Sequence, residues 1–250
     1  MTDLPDAEPL IEVHENRDDL AIAVAGELVH RLVEAQADGG VPQIALTGGS
    51  VADAVHRELA RLTVESEIGS EVDWSRVVFW WGDERFVEPA SPDRNERLAR
   101  ELFLDQVDVD PANVHPMPST ESAESAEAGA AAYADELRTH GSGTFEIVML
   151  GLGPDAHVAS LFPGFPQLDA DEIAVAVHDS PKPPPDRISL TLPCLNRARS
   201  VWFVVSGEEK AGAVALALAD GTDVHDAPAA GVAGQAETIW FLDRAAASRL

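Results

Sequence analysis

Lysine is almost absent from this chain. Of 250 residues only two are lysine, Lys182 and Lys210, and Lys and Arg together number 17 against 44 Asp and Glu, a formal net charge of −27. Nucleic-acid binding rests on Lys and Arg neutralising phosphates, so a protein this acidic is expected to repel nucleic acid. Cysteine is scarcer still. Cys194 stands alone, which excludes an internal disulfide framework and any multi-cysteine zinc site. No apolar run approaches the about 20 residues that a membrane-spanning helix needs. The opening stretch, MTDLPDAEPL, is acidic and lacks the basic and apolar regions of a secretory signal, so a cytoplasmic protein without membrane attachment is expected.

The acidic balance speaks to solubility rather than to fold, yet it constrains any site. An anionic substrate would need a local cluster of Arg or Lys, because charges beyond about 8–10 Å are screened at physiological salt. What the chain does have is hydrophobic residues, 45% of the total, distributed in short blocks. Strand-like blocks appear at QIALTG (43–48), RVVFWWGDE (76–84), FEIVMLGLG (145–153), IAVAVH (173–178), RISLTL (187–192), SVWFVVSG (200–207) and TIWFLD (238–243). Continuous apolar runs of this length suit strands covered on both faces. Helix patterns lie between them: RDDLAIAVAGELVHRLVEAQADGG, with Asn16 as N-cap and Gly39 as stop, and ESAESAEAGAAAYADELRTHG, ending before Gly141. This alternation predicts a three-layer, Rossmann-like α/β fold with a largely parallel central sheet flanked by helices. No repeat or linker divides the chain, so residues 1–250 are expected to form one domain, of a size that suits a monomer and leaves an oligomer open. The one biased stretch, DSPKPPPD (179–186), reads as a stiff extended loop.

In such folds ligands bind beyond the carboxyl ends of the strands, and three strand ends carry suggestive residues. In ALTGGSVADAV, Gly48 and Gly49 precede Ser50-Val51-Ala52-Asp53, a capping-box pattern. It reads either as an ordinary glycine turn with a serine cap or as a phosphate cradle built on a helix N-terminus. In WWGDERFV, Asp83, Glu84 and Arg85 follow a run of buried character, either as a solvated loop or as part of a site. In GLGPDAHVASLFPG, Gly151 and Gly153 permit a tight turn, and Asp155 is placed to cap a helix starting around Ala156. His157 would then sit in the first helical turn, where the helix dipole lowers its pKa and favours a neutral imidazole suited to general-base work. Asp155 would cap that helix or orient the ring. The other seven histidines read as surface or core residues. Two further cations are candidates: Arg187, opening RISLTL, and Lys210 in SGEEKAGAV, at a helix start where a lysine is electrostatically misplaced unless something anionic holds it.

Together TGGS, WWGDERFV, SPDRNERLA, NVHPMP, GLGPDAHVASLFPG, RISLTLPCLN and SGEEKA resemble, in order and spacing, the 6-phosphogluconolactonases, over roughly residues 10–245. That family usually reads Asp-Gly-His-Thr where this chain has Asp155-Ala156-His157-Val158. The resemblance implies hydrolysis of 6-phospho-D-glucono-1,5-lactone to 6-phospho-D-gluconate, the second step of the oxidative pentose phosphate pathway, without metal or organic cofactor. It makes His157 the general base, with Asp155 beside it. Gly48, Gly49 and Ser50 would hold the phosphate, with Arg85, Arg187 and Lys210 as candidate cations for phosphate or lactone, and Asp83 and Asn95 would belong to the site architecture.

Two other readings compete. Glucosamine-6-phosphate deaminases share the Asp-x-His turn but continue to Phe-Asn-Glu-Pro, and here Phe162 stands in the place of that glutamate, where it cannot move a proton. A non-catalytic sugar-phosphate sensor of the kind found in bacterial repressors would carry a basic helix-turn-helix segment, for which the N-terminus is too short and too acidic.

Overall fold

Five of the apolar blocks, with one strand that the apolar pattern did not single out, line up as a single parallel sheet. The computed structural model describes residues 8–37 and 39–250; most of the acidic opening stretch therefore lies outside the described residues. In chain order the elements are β1 (Leu10–His14), α1 (Arg17–Ala37), β2 (Gln43–Leu46), α2 (Ser50–Glu65), β3 (Val78–Trp81), β4 (Asp83–Arg85), α3 (Asn95–Leu102), α4 (Ala126–His140), β5 (Ile147–Leu150), β6 (Ala174–Val177), β7 (Arg187–Leu190), α5 (Leu192–Leu195), β8 (Ser200–Val205), α6 (Ala211–Ala217) and β9 (Glu237–Asp243). The main sheet runs β1-β9-β8-β5-β2-β3, and every neighbouring pair in it is parallel. A second, antiparallel sheet runs β4-β7-β6.

The central strands β2, β5 and β8 are buried at every position, and apart from Gln43 and Ser200 at their starts every residue in them is apolar. Trp80, Trp81 and Trp202 are fully buried. Each such ring removes on the order of 200 Å² from water, about 5 kcal/mol before entropy is counted. The helices α1 and α2 pack on each other and contact β9, β1 and β8, while α4 packs on β6 and β7. Tyr133 ties α4 to the main sheet, accepting from Trp81 N–H at 2.8 Å and donating to Trp81 C=O. The N-cap read at Asn16 is present, since its side chain accepts from the N–H groups of Asp18 and Asp19. Leu20, Val24, Leu28 and Leu32 then bury one face of α1 at four-residue spacing.

Three expectations need correction. The block 76–84 is not one strand. Gly82 donates to Leu46 C=O in the main sheet and accepts from Leu190 N–H in the small one, so the chain changes sheet there and 83–85 becomes β4. The capping box at Ser50 is absent: Gly49, at φ 105°, is the N-cap of α2, no side chain caps the helix, and Ser50 is its exposed first residue. No helix begins near Ala156 either. Residues 151–165 form a looped segment in which Val158 bridges Leu161, with Ala156 at φ 62° and Ala159 at φ 48°. The strand that sequence reading missed, β1, is a half-exposed edge whose place is set by its ladder to β9.

Candidate active site

The strand order reverses between β2 and β5: β2 leads outward to β3, β5 outward to β8. Ligand crevices form at such reversals. Here Gly48, two residues past the end of β2, and Gly151, directly after β5, line a cavity of about 230 Å³. A β-carbon on Gly48 would collide with the side-chain amide of Asn95, so that turn depends on glycine.

His157 reaches this cavity from the looped segment after β5. With no helix behind it, the helix-dipole argument for a neutral ring falls away, and a side-chain bond takes its place. Nδ1 lies 2.5 Å from Asp155 Oδ1, and Nε2 has no hydrogen-bond partner among the described residues. Partial burial, the largest single influence, pushes the Asp155 carboxyl up, but the bond to His157, the imidazole charge and backbone N–H groups together outweigh it and hold the carboxyl below its ordinary range. Asp155 therefore bonds the imidazole and caps no helix. It lies outside the cavity lining, behind the imidazole. Gly153 is required: a β-carbon there would overlap both the His157 ring and Asp155 Oδ1. Phe162, 1% exposed, packs its ring 4.5 Å from the imidazole and forms an apolar wall of the cavity.

The loop is moored to the small sheet. Ser160 donates its hydroxyl to Asp83 Oδ2 at 2.7 Å, and its N–H donates to Ser189 Oγ at 3.1 Å. Asp83, buried and lining the cavity, thus holds the His157 segment in register with β4. The adjacent Glu84 is buried and caps α3: its two carboxylate oxygens accept from the N–H groups of Arg85, Asn95 and Glu96, each at 2.8 Å. Burial pushes its carboxyl up to about 6 in spite of Arg94 nearby. Asn95 opens α3, donates to Asp83 C=O, and sits in the cavity lining against Gly48.

Four cations line the cavity: Arg85, Lys182, Arg187 and Lys210. Antiparallel pairing sets Arg85 directly opposite Arg187, an arrangement of like charges that is unfavourable without a counterion. Burial lowers the pKa of both Arg187 and Lys210, and the charge of Lys182 lowers Lys210 further. Nine arginines elsewhere form ion pairs with carboxylates; among the described residues these four cavity cations form none. The result is a positive cavity in a molecule of net charge −27.

The structure thus gathers Gly48, Gly49, Asp83, Arg85, Asn95, His157, Arg187 and Lys210 around one cavity, with Asp155 one bond behind it and Ser50 outside it. Lys182 and Ser160 were missed by sequence reading. The signal for Lys182 was compositional: a chain with two lysines spends both on one cavity.

The sequence model of the family described as glucosamine-6-phosphate isomerases/6-phosphogluconolactonase matches residues 15–240. The chain is 44% identical over 252 residues to the 6-phosphogluconolactonase of Streptomyces coelicolor, covering 97% of this chain and 95% of that one. It is 41% identical over 248 residues to the 6-phosphogluconolactonase of Mycobacterium tuberculosis, covering 96% and 98%. The structure of 6-phosphogluconolactonase from Trypanosoma brucei superposes with a TM-score of 0.81 at 30% identity, covering 97% of this chain and 99% of that one. A monomeric glucosamine-6-phosphate deaminase, 18% identical with a TM-score of 0.80, shares the fold.

Proposed function

The chain belongs to the glucosamine-6-phosphate isomerase/6-phosphogluconolactonase family, and from that premise we propose that His157 is the general base of a 6-phosphogluconolactonase. The enzyme hydrolyses 6-phospho-D-glucono-1,5-lactone to 6-phospho-D-gluconate. One observation supports the role of His157: its Nδ1 is held by Asp155, while its Nε2 faces a cavity lined by four cations, and among the described residues neither Nε2 has a hydrogen-bond partner nor the cations an ion-pair partner.

In this mechanism Nε2 takes a proton from a water molecule as the water oxygen bonds to lactone C1. The carbonyl electron pair moves onto oxygen, giving a tetrahedral oxyanion. When that pair returns, the C1–ring-oxygen bond breaks and the imidazolium donates its proton to the departing oxygen. Asp155 fixes the tautomer and steadies the imidazolium between the two transfers. Arg85, which donates from Nη1 to Asp93 C=O and whose buried Nε has no partner among the described residues, is assigned to the oxyanion. The uncapped first turn of α2, with Gly48 and Gly49, is assigned to the phosphate together with Lys210 and Lys182. Phe162 at the ring's side makes the deaminase reading chemically unattractive, since it offers no second acid–base group there.

We place the enzyme in the cytoplasm, acting on a small sugar-phosphate lactone. Among the described residues no helix is long and apolar enough to cross a membrane. The test is proton release on adding freshly generated 6-phosphogluconolactone, measured against spontaneous hydrolysis. The wild type is expected to run far above background and His157→Ala to lose about 10²–10⁴-fold in kcat. Wild-type protein no faster than buffer would refute the reading.

A further inference from the structure

Residues 179–186 carry four prolines in eight positions. Proline has no N–H, so such a segment cannot tie itself down through a backbone ladder, and its carbonyls need donors from elsewhere. Arg187 supplies them. Its side chain, 5% exposed, donates from Nη2 to Lys182 C=O at 2.9 Å and from Nε to Pro184 C=O at 3.2 Å. The segment is closed at its base by Ser180 N–H donating to Pro185 C=O at 3.1 Å, and Phe86 N–H donates to Asp186 C=O at 2.9 Å. Because a proline-rich segment is stiff, pinning the carbonyls of 182 and 184 also sets where the intervening backbone lies. Lys182 and Pro183 are the two residues of this strap that line the cavity.

We propose that Arg187 is a positioning residue: it seats the 179–186 strap so that Lys182 enters the cavity, where Lys182 grips the anionic end of the substrate opposite Lys210. Two of the three guanidinium nitrogens are committed to the strap, so Arg187 acts on the substrate chiefly through Lys182. Only the proposed contact with an anion accounts for the Lys182 ammonium. In a chain with 44 carboxylate side chains it forms no ion pair among the described residues, and its charge bears on the only other lysine. Bringing those two ammonium groups to one cavity is unfavourable unless an anion joins them.

This inference rests on the lactonase reading for its substrate, and its test separates the two. Steady-state kinetics with 6-phosphogluconolactone are measured for Lys182→Ala, Arg187→Lys and the double variant. Arg187→Lys keeps the buried charge but cannot make both carbonyl bonds, which guards against simple unfolding. Lys182→Ala is expected to raise KM about 10-fold or more with kcat within about 3-fold, and Arg187→Lys to raise KM similarly. The double variant should be no worse than the weaker single variant, because both act through one contact. Hydrogen exchange gives a readout independent of activity: the amides of Ser180 and Phe86 should exchange faster in Arg187→Lys and unchanged in Lys182→Ala. Factors that multiply in the double variant, or an unchanged KM in Lys182→Ala, would overturn the proposal. If wild-type hydrolysis fails while exchange and calorimetric binding of inorganic phosphate follow the expected pattern, the lactonase reading falls and the strap stands.

Discussion

Two glycine turns leave adjacent parallel strands at the same end of the sheet, and they work in different ways. After β2, Gly48 and Gly49 pass straight into α2, and the turn offers uncapped backbone N–H groups at a helix end. After β5, Gly151 and Gly153 pass into no helix. Asp155, which a helix would have used as a cap, is bonded to the ring of His157, and Ser160 ties the segment to Asp83 of the small sheet. The first turn presents uncapped backbone N–H groups, and the second presents a hydrogen-bonded aspartate–histidine pair, to which we assign the side-chain chemistry. A helix N-terminus needs only an anion to complete it, whereas an acid–base pair needs both members held in one geometry.

Substitutions can break this contrast at different strengths. The largest effect is expected at Gly153→Ala, whose β-carbon would displace both His157 and Asp155. Misplacing a reacting group by about 1 Å costs on the order of 10²-fold, so kcat should fall at least that far, as steady-state assays would read. Asp155→Asn comes next, with kcat reduced about 10- to 100-fold because the amide no longer enforces the Nδ1–H tautomer. It also has a stability signature. The folded-state pKa of Asp155 is depressed, so its contribution is fully present above the unfolded value and is lost as pH falls through the lowered folded value. Acid unfolding followed by circular dichroism should therefore lose part of its steepness below about pH 4 in Asp155→Asn. A curve identical to wild type would mean that the bond adds nothing to stability.

Ala156→Gly tests the departure from the family pattern. Ala156 is fully buried at φ 62°, where a β-carbon costs on the order of 1 kcal/mol, so glycine should raise the melting temperature by a few degrees at most with kcat unchanged. A lower melting temperature would show that the alanine methyl packs better than the backbone strain costs. Smallest of all is Ser50→Ala. If the turn after β2 acts through backbone N–H groups, KM should move less than about 2-fold; a larger rise would return the serine hydroxyl to the phosphate site and narrow the contrast between the two turns.

Much of this was legible in the residues. Continuous apolar blocks marked the central strands because a strand covered on both faces must be apolar throughout. Glycines at strand ends and the Asp155–His157 spacing pointed to the residues that gather at the cavity, because those turns need conformational freedom and that pair needs proximity. The failures share one cause. Local sequence leaves Asp155 as either the cap of a helix or a partner for the imidazole, and the helix expected at Ala156 does not form because the segment is anchored at Ser160 by Asp83 and Ser189, far away in the chain. The block 76–84 looked continuous because nothing local reveals that Gly82 bonds to two sheets at once.

By itself, then, the sequence determined an acidic α/β protein with a parallel core, glycine turns at the strand ends, and an aspartate–histidine pair two residues apart. These follow from periodicity, composition and short-range geometry, which neighbouring residues settle among themselves. Only the tertiary structure decided that Arg85, Lys182, Arg187 and Lys210 share one cavity and that Ser50 stands outside it. Charge clustering and hydrogen-bond pairing between distant segments depend on sheet order and cross-strand register, and local sequence carries no record of either.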